Sequence, residues 1–217
     1  MILKHIKGMS CADIGTDHAY IPIELAKKNI QVIATDIKTG PLKIAEKNAK
    51  KHEKNIELRL GAGLGPIGLG ETDCIVIAGM GGEMIKKIIE DDLEKASASL
   101  LILQPMNSQY ELRKYLAENG FLVVCEDIAK EGFKIYNLLV VKRGENPRYE
   151  REIDAHLPKS LYEHPLFLDL LDKKRREFSK IYKGLTKKRD KNDAELSYYK
   201  GLLADLEEIE RSFKNAT

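Results

Sequence analysis

From residue 9 to about residue 141, short apolar runs alternate with stretches whose apolar positions recur every three to four residues. The runs predict strands and the longer period predicts helices. Strands are expected at 9–14, 30–35, 56–60, 74–78 and 100–103, each followed by Gly, Asp or Gln. Helices are expected at 20–28, 41–52, after Gly82 to about 90, and from Asn107 or Ser108 to 118. Pro41 suits a first helical turn, where its missing N–H is no loss, and Asn119-Gly120 suits a helix end. Residues 121–128 and 133–141 flank Lys130-Glu131-Gly132 and predict a hairpin. The early strands are uninterruptedly apolar, as parallel strands covered on both faces are. Their alternation with helices predicts βαβ units, hence an α/β fold with a doubly wound sheet.

After Gly144-Glu145-Asn146-Pro147 the period changes. Leu171, Phe178, Ile181 and Leu185 recur at heptad spacing, and beyond a polar break at 187–193 so do Leu196, Tyr199, Leu203, Leu206 and Phe213. An antiparallel helical coiled-coil hairpin is the simplest structure for them. Two domains are therefore expected, 1–147 and 148–217.

The 217 residues are 43% hydrophobic and 32% charged, which suits a globular chain with a heavily charged surface. A formal net charge of +2 selects no partner by itself. The distribution says more: residues 173–191 hold ten Lys or Arg against Glu177 and Asp190, with Tyr182 interleaved. Such a face points to a polyanion, and nucleic-acid backbone is the expected contact. Its expected RNA-binding residues are Lys173, Lys174, Arg175, Arg176, Lys180, Lys183, Lys187, Lys188 and Arg189.

Cys11, Cys74 and Cys125 are odd in number and lie in or beside apolar runs, so they read as small core residues in a reducing compartment. His5, His18, His52, His156 and His164 show no ligand spacing, and no metal is expected. No apolar stretch approaches the roughly 20 residues of a membrane span, and the first residues lack a signal-peptide core. A cytoplasmic protein without a membrane partner is expected; a monomer is the expected state.

Chemistry concentrates at the predicted strand ends. Asp13-Ile14-Gly15-Thr16-Asp17-His18-Ala19-Tyr20 follows the first strand. One glycine there lets backbone approach a ligand, but the three of a dinucleotide-binding turn are missing. Asp13 and Asp17 suit a cation, and S-adenosylmethionine carries a sulfonium and an ammonium with no phosphate. Asp36 lies 21 residues beyond Gly15, where an acidic side chain accepts ribose hydroxyls. Gly79-Met80-Gly81-Gly82 reads as a floor for a flat base, bare except for Met80. In Gln104-Pro105-Met106-Asn107 the amides are placed to bond a base edge, or Asn107 to cap a helix.

Ala12-Asp13-Ile14-Gly15-Thr16-Asp17-His18-Ala19-Tyr20, Ile77-Ala78-Gly79-Met80-Gly81-Gly82 and Leu101-Ile102-Leu103-Gln104-Pro105 together resemble the bacterial tRNA (adenine-22-N1)-methyltransferase family. The resemblance implies a Rossmann-like class I methyltransferase sheet of seven strands, mostly parallel with one antiparallel strand, and a C-terminal coiled coil. It implies S-adenosyl-L-methionine as cofactor and N1 of adenine 22 in tRNA as substrate. Asp13, Gly15 and Asp17 would line the methionine end and Asp36 would hold the ribose, with Thr16, His18 and Ile37 as further expected cofactor-binding residues. Gly61, Ala62 and Gly63 would border the adenine, and Ala78, Gly79 and Met80 are also expected to bind the cofactor. Asp17, Tyr20, Met80 and Asn107 are the expected catalytic residues: Asp17 stabilises the cationic product base and Tyr20 and Met80 pack it.

Three departures stand out. Family members usually carry an Arg-Leu segment ahead of the first strand, so one wall is expected to be incomplete here. Ala62 stands where a polar residue is usual, and Met106 displaces Asn107 by one. Alternatives read from the residues are a methyltransferase acting on a small molecule or protein, and a catalytically silent RNA-binding or scaffold protein. A nicotinamide-dependent dehydrogenase is disfavoured by the single glycine.

Overall fold

The computed structural model describes residues 1–145, 149–188 and 192–215. They belong to two compact units, Met1–Ala129 with Tyr136–Arg148, and Lys130–Ile135 with Tyr149–Thr217.

The first unit is an α/β sheet structure. In chain order it runs β1 (Ser10–Ile14), α1 (Tyr20–Ala26), β2 (Gln31–Asp36), α2 (Thr39–Lys51), β3 (Glu57–Leu60), β4 (Cys74–Met80), α3 (Gly82–Asp91), α4 (Leu93–Ala98), β5 (Leu100–Pro105), α5 (Gln109–Glu118), β6 (Phe121–Glu131) and β7 (Lys134–Arg143). The seven strands lie in the order β3-β2-β1-β4-β5-β7-β6. β1 pairs in parallel with β2 and β4, β2 with β3, and β4 with β5. β7 runs antiparallel to β5, Leu101 opposite Val141 and Leu103 opposite Leu139. This is the Rossmann-like, mostly parallel seven-stranded sheet.

Both faces of the sheet are covered, which is why its strands read as unbroken apolar runs. Ala12, Ile14, Ile75, Ile77, Leu101 and Leu103 face one core together with Ile85 and Ile89 of α3 and Leu112 and Leu116 of α5. The alternate residues Cys11, Cys74, Val76 and Ile102 face a second core with Ile23 and Leu25 of α1 and Ala45 and Ala49 of α2.

Three details depart from expectation. α4 carries too few apolar residues for its period to show; Asp92 starts it by accepting the Lys95 N–H at 3.4 Å. β6 runs on to Glu131 through Glu126 and Asp127, polar residues tolerated because each is partnered. Arg113 meets Glu126 at 2.7 Å with side chains 1% and 3% exposed, while Lys4 and His5 both reach Asp127 at 2.8 Å. Cys125 is exposed on this edge strand, unlike the buried Cys11 and Cys74.

The second unit contains α6 (Glu152–His156), α7 (Phe167–Thr186) and α8 (Asp193–Asn215), with α7 and α8 packed together. Leu171, Phe178 and Leu185 are buried on α7 as the heptad pattern requires. On α8 the buried positions are Leu202, Leu206 and Ile209, while Leu203 and Phe213 of the expected seam are half-buried. Phe213 instead clusters with Tyr162 and Phe167, ring centroids 5.6 and 5.0 Å away. α6 and the chain leading into α7 add a further side to the pair, so α8 buries a broader face than a two-helix seam.

Candidate active site at the strand ends

Strand order reverses between β1 and β4: β1 leads outward to β2 and β3, β4 leads the other way to β5. Crevices at the carboxyl ends of such strands bind ligands because the two crossovers diverge there and leave the ends uncovered. A cavity of about 540 Å³ lies at this point, walled by Gly15, Thr35, Asp36, Gly61 and Met80, with Met84 of α3. That volume suits a small organic ligand.

The first turn is held in a costly backbone conformation. Gly15 (φ +73°), Asp17 (φ +46°) and Ala19 (φ +58°) all lie in the left-handed region. For the two non-glycine residues this costs roughly 1–3 kcal/mol each, a kind of strain that collects at functional sites. The Gly15 and Thr16 N–H groups both donate to the Thr35 carbonyl at 2.8 Å, and Asn48 Nδ2 donates to the His18 carbonyl at 3.0 Å. A Cβ on Gly15 would stand 2.2 Å from Met80 Cε, so only glycine leaves that methionine in place.

Electrostatics differ between the two acids at the turns. Asp13 is 5% exposed, and burial pushes its carboxyl up to about 6. Asp36 is half-buried and accepts the Lys38 N–H on Oδ1 at 2.9 Å, with Oδ2 available at the cavity wall. The neighbouring Thr35 hydroxyl is fully buried and has no hydrogen-bond partner among the described residues.

Of the expected cofactor residues, Gly15, Asp36, Ile37, Gly61, Ala62, Gly63 and Met80 line the cavity. Asp13, Thr16, Asp17, His18, Ala78 and Gly79 do not. Asp17 pairs with His18 Nδ1 at 2.8 Å, and the His18 ring stacks parallel to Tyr20 at 5.5 Å, Tyr20 being 70% exposed. The cap position of α1 is Ala19, and no side chain caps this helix.

β4 continues through Ala78 and Gly79, with a register shift between Ala78 and Met80. Gly79 (φ +76°) supplies the bulge that turns Met80 toward the cavity. Gly81 and Gly82 are not an open floor. A Cβ on Gly81 would come within 2.9 Å of Asn107 Oδ1, and one on Gly82 within 2.4 Å of the Ser108 carbonyl oxygen. These glycines admit the chain crossing above them. Gln104 is committed as well: its Oε1 accepts the Gly79 N–H at 3.1 Å, and its Nε2 donates to the Pro105 carbonyl at 3.4 Å. Asn107 is exposed and caps nothing; the α5 cap position, Ser108, makes no side-chain cap bond.

Thr35, Met84, Lys87 and Asp91 line the cavity without having been expected there. Met84, Lys87 and Asp91 share one face of α3 at spacings of three and four, a signal that was available. A second cavity, about 510 Å³, lies beside α2 and β3 at the sheet edge and holds none of the motif residues.

On α7 the basic run is partly engaged. Lys173 is half-buried and donates to the Ile135 carbonyl at 3.1 Å; burial, with Lys174 beside it, lowers its pKa. Lys174 is buried and meets Glu177 at 3.1 Å, Arg175 meets Glu210 at 2.5 Å, and Arg176 meets Asp172 at 3.2 Å. Lys180, Lys183, Lys187 and Lys188 are exposed, and Arg189 lies outside the described residues. Asp172 stands one position before the counted window, and Glu210 is on the partner helix, so the ten-to-two imbalance overstates the free charge. Among the described residues no group of three or more His, Cys, Asp or Glu is placed to hold a metal, and no helix is long and apolar enough to cross a membrane.

A family profile described as a methyltransferase domain matches residues 1–139. The chain is 38% identical over 143 residues to the tRNA (adenine(22)-N(1))-methyltransferase of Bacillus subtilis (strain 168), covering 64% of this chain and 60% of that protein. It thus spans about three fifths of the length of the curated relatives it matches. The crystal structure of the B. subtilis m1A22 tRNA methyltransferase TrmK superposes with a TM-score of 0.84 at 27% identity, over 96% of this chain and 95% of that one. Streptococcus pneumoniae Sp1610 superposes with a TM-score of 0.84 at 32% identity, over 96% of both chains. Its complex with S-adenosyl-L-methionine gives a TM-score of 0.79, over 94% of this chain and 92% of that one. Matched over most of its length in sequence and fold, this chain belongs to the methyltransferase-domain family and, within it, to the bacterial tRNA (adenine-22-N1)-methyltransferase family.

Proposed function

We propose that this chain binds S-adenosyl-L-methionine in the strand-end cavity and methylates N1 of adenine 22 in tRNA. The observation that carries the reading is the cavity wall. It combines a left-handed glycine whose Cβ space is taken by the Met80 methyl, a carboxylate with one oxygen available, and a buried hydroxyl without a partner among the described residues. Those features fit an adenosine bearing an amino acid. Asp36 is placed for the ribose hydroxyls, Ile37 and Gly61, Ala62 and Gly63 for the adenine, and Gly15 and Met80 for the methionine end. The turn beyond β1 is acidic and presents no phosphate-binding series of glycines, which agrees with a cationic ligand. The B. subtilis relative is a tRNA (adenine(22)-N(1))-methyltransferase, and Sp1610 has been solved with S-adenosyl-L-methionine.

When bound, S-adenosyl-L-methionine supplies an electrophilic methyl group on a sulfonium. Adenine N1 presents an in-plane lone pair, so this chain needs no general base and contributes chiefly by positioning, which can be worth up to roughly 7–11 kcal/mol. Met80 and Tyr20 pack the target base, and Asn107 bonds its edge. Asp17, which pairs with His18 outside the cavity lining, is the carboxylate we assign to stabilising the cationic product base. N1 is inaccessible in a paired base, so the target enters unstacked or flipped. Residues 1–147 act as the cofactor-binding domain. Residues 148–217 contact tRNA through Arg176, Lys180, Lys183, Lys187, Lys188 and Arg189, whereas Lys173, Lys174 and Arg175 are engaged by Ile135, Glu177 and Glu210; the boundary between the two lies outside the described residues. The working protein is a cytoplasmic monomer.

Incubating total tRNA with labelled cofactor and mapping the product tests this. Label at adenine 22, abolished by Asp36→Ala, is expected; label at another position or none at all defeats the proposal. An Asp17→Ala variant that binds cofactor and methylates at the wild-type rate would remove Asp17 from its role.

A further inference from the structure

Phe133 is 92% exposed, more than any other large hydrophobic side chain described. It occupies the second position of the two-residue Gly132-Phe133 loop that joins β6 to β7. Gly132 has φ +58° and Phe133 has a negative φ, a turn that needs glycine first and accepts any residue second. Neither turn geometry nor packing asks for a phenyl ring there.

The hairpin tip is tied down within the helical unit. Lys130 pairs with Asp169, and Lys173 donates to the Ile135 carbonyl at 3.1 Å. Asp169, Lys173, Arg176, Lys180, Lys183 and Lys187 follow at spacings of four, three, four, three and four, so they form one stripe along α7. The tip is therefore anchored at the start of a stripe that continues as cations alone. Lys180, Lys183 and Lys187 are exposed without an acidic partner among the described residues, and the Arg176 side chain is 72% exposed beside Asp172. Arg176 to Lys187 covers about 16 Å of helix at 1.5 Å per residue. An exposed aromatic at the head of a cation track is how single-stranded nucleic acid is held: the ring stacks on a base while the cations follow phosphates.

We propose that Phe133 stacks on an unpaired RNA base whose backbone runs along the Arg176 to Lys187 stripe. The proposal rests on the tRNA reading above and adds a base-binding site to it. RNA is favoured over a protein partner because the stripe beside the ring is cationic.

The chain contains no tryptophan, so Phe133→Trp creates a single-tryptophan reporter. Titrating it with tRNA is expected to quench its emission at least twofold, and raising the salt concentration to reverse the quench. Phe133→Ala is expected to weaken tRNA binding in filter retention about tenfold, with cofactor affinity and Tm unchanged. Unquenched emission together with full tRNA affinity of Phe133→Ala would overturn the proposal while leaving the tRNA reading standing. Wild-type protein that retains no tRNA would defeat both. An emission shift that depends on protein concentration without RNA would assign the ring to a second copy and also overturn it.

Discussion

The strand-end cavity and the exposed face of α7 hold their chemistry in different ways. Around the cavity it resides in backbone: three left-handed residues within five, a bulge at Gly79, and N–H groups of Gly15 and Thr16 sharing one carbonyl. Along α7 it resides in flexible lysine side chains on a regular helix, where each can change without moving its neighbours. The first region is preorganised and sensitive to single substitutions. The second is distributed, so its contributions to binding add up singly and its contribution to stability is small.

Substitutions can break or sharpen that contrast. The largest expected effect lies in the sheet scaffold, where α5 covers the β6 edge. Arg113→Ala leaves Glu126 charged and buried, which should lower stability by about 3–5 kcal/mol. Arg176→Ala on the helix surface should stay within about 0.5 kcal/mol. Urea unfolding of both variants measures the gap, and similar losses would show that the two regions do not differ.

A second, pH-dependent effect concerns Asp13. Its folded carboxyl titrates at about 6 against an ordinary 3.8, because burial disfavours the charge. Above pH 6 the folded protein therefore carries an unfavourable buried carboxylate, at about 3 kcal/mol by linkage. That cost shrinks as pH falls from 6 toward 4, where the carboxyl is protonated in both states. Asp13→Asn should then be the more stable protein at pH 7.5, by up to about 3 kcal/mol, with the difference vanishing near pH 4. Denaturant melts of the ligand-free protein across this range decide it; a difference that does not change with pH contradicts the assignment.

The smallest stability effect is expected for Lys180→Ala combined with Lys183→Ala, within about 0.5 kcal/mol of wild type. The same variant should lose about two units of slope in a plot of log tRNA affinity against log salt. An unaltered slope would mean these lysines face solvent only.

How much was legible followed from where each residue finds its partner. Gly15, Asp36, Gly61 and Met80 could be placed from the chain because each directly follows or ends a strand, and a parallel sheet brings its strand ends to one edge. Gly81 and Gly82 could not. Their small size answers to Asn107 and Ser108, about 26 residues later, and a glycine facing backbone reads the same as one facing a ligand. Cys125 shares an apolar run with buried residues but lies on the edge strand, where one side has no neighbour. Arg175 looked free until α8 brought Glu210 to it. On α8 the heptad reading chose Leu203 and Phe213, because a two-helix seam leaves out the face that α6 covers.

By itself the sequence determined the order and kind of the main elements, the two covered faces of the sheet, and the turns at which a ligand can approach. These are local matters: periodicity, glycine's access to positive φ, and the fixed reach of a strand. Tertiary structure alone decided that α3 walls the cavity and that Asp13 is buried deeply enough to resist ionisation. It also decided which cations of α7 are paired and that Phe133 stands alone in solvent at the head of a basic stripe. Burial and charge pairing depend on what lies across from a residue, and distant parts of the chain supply that.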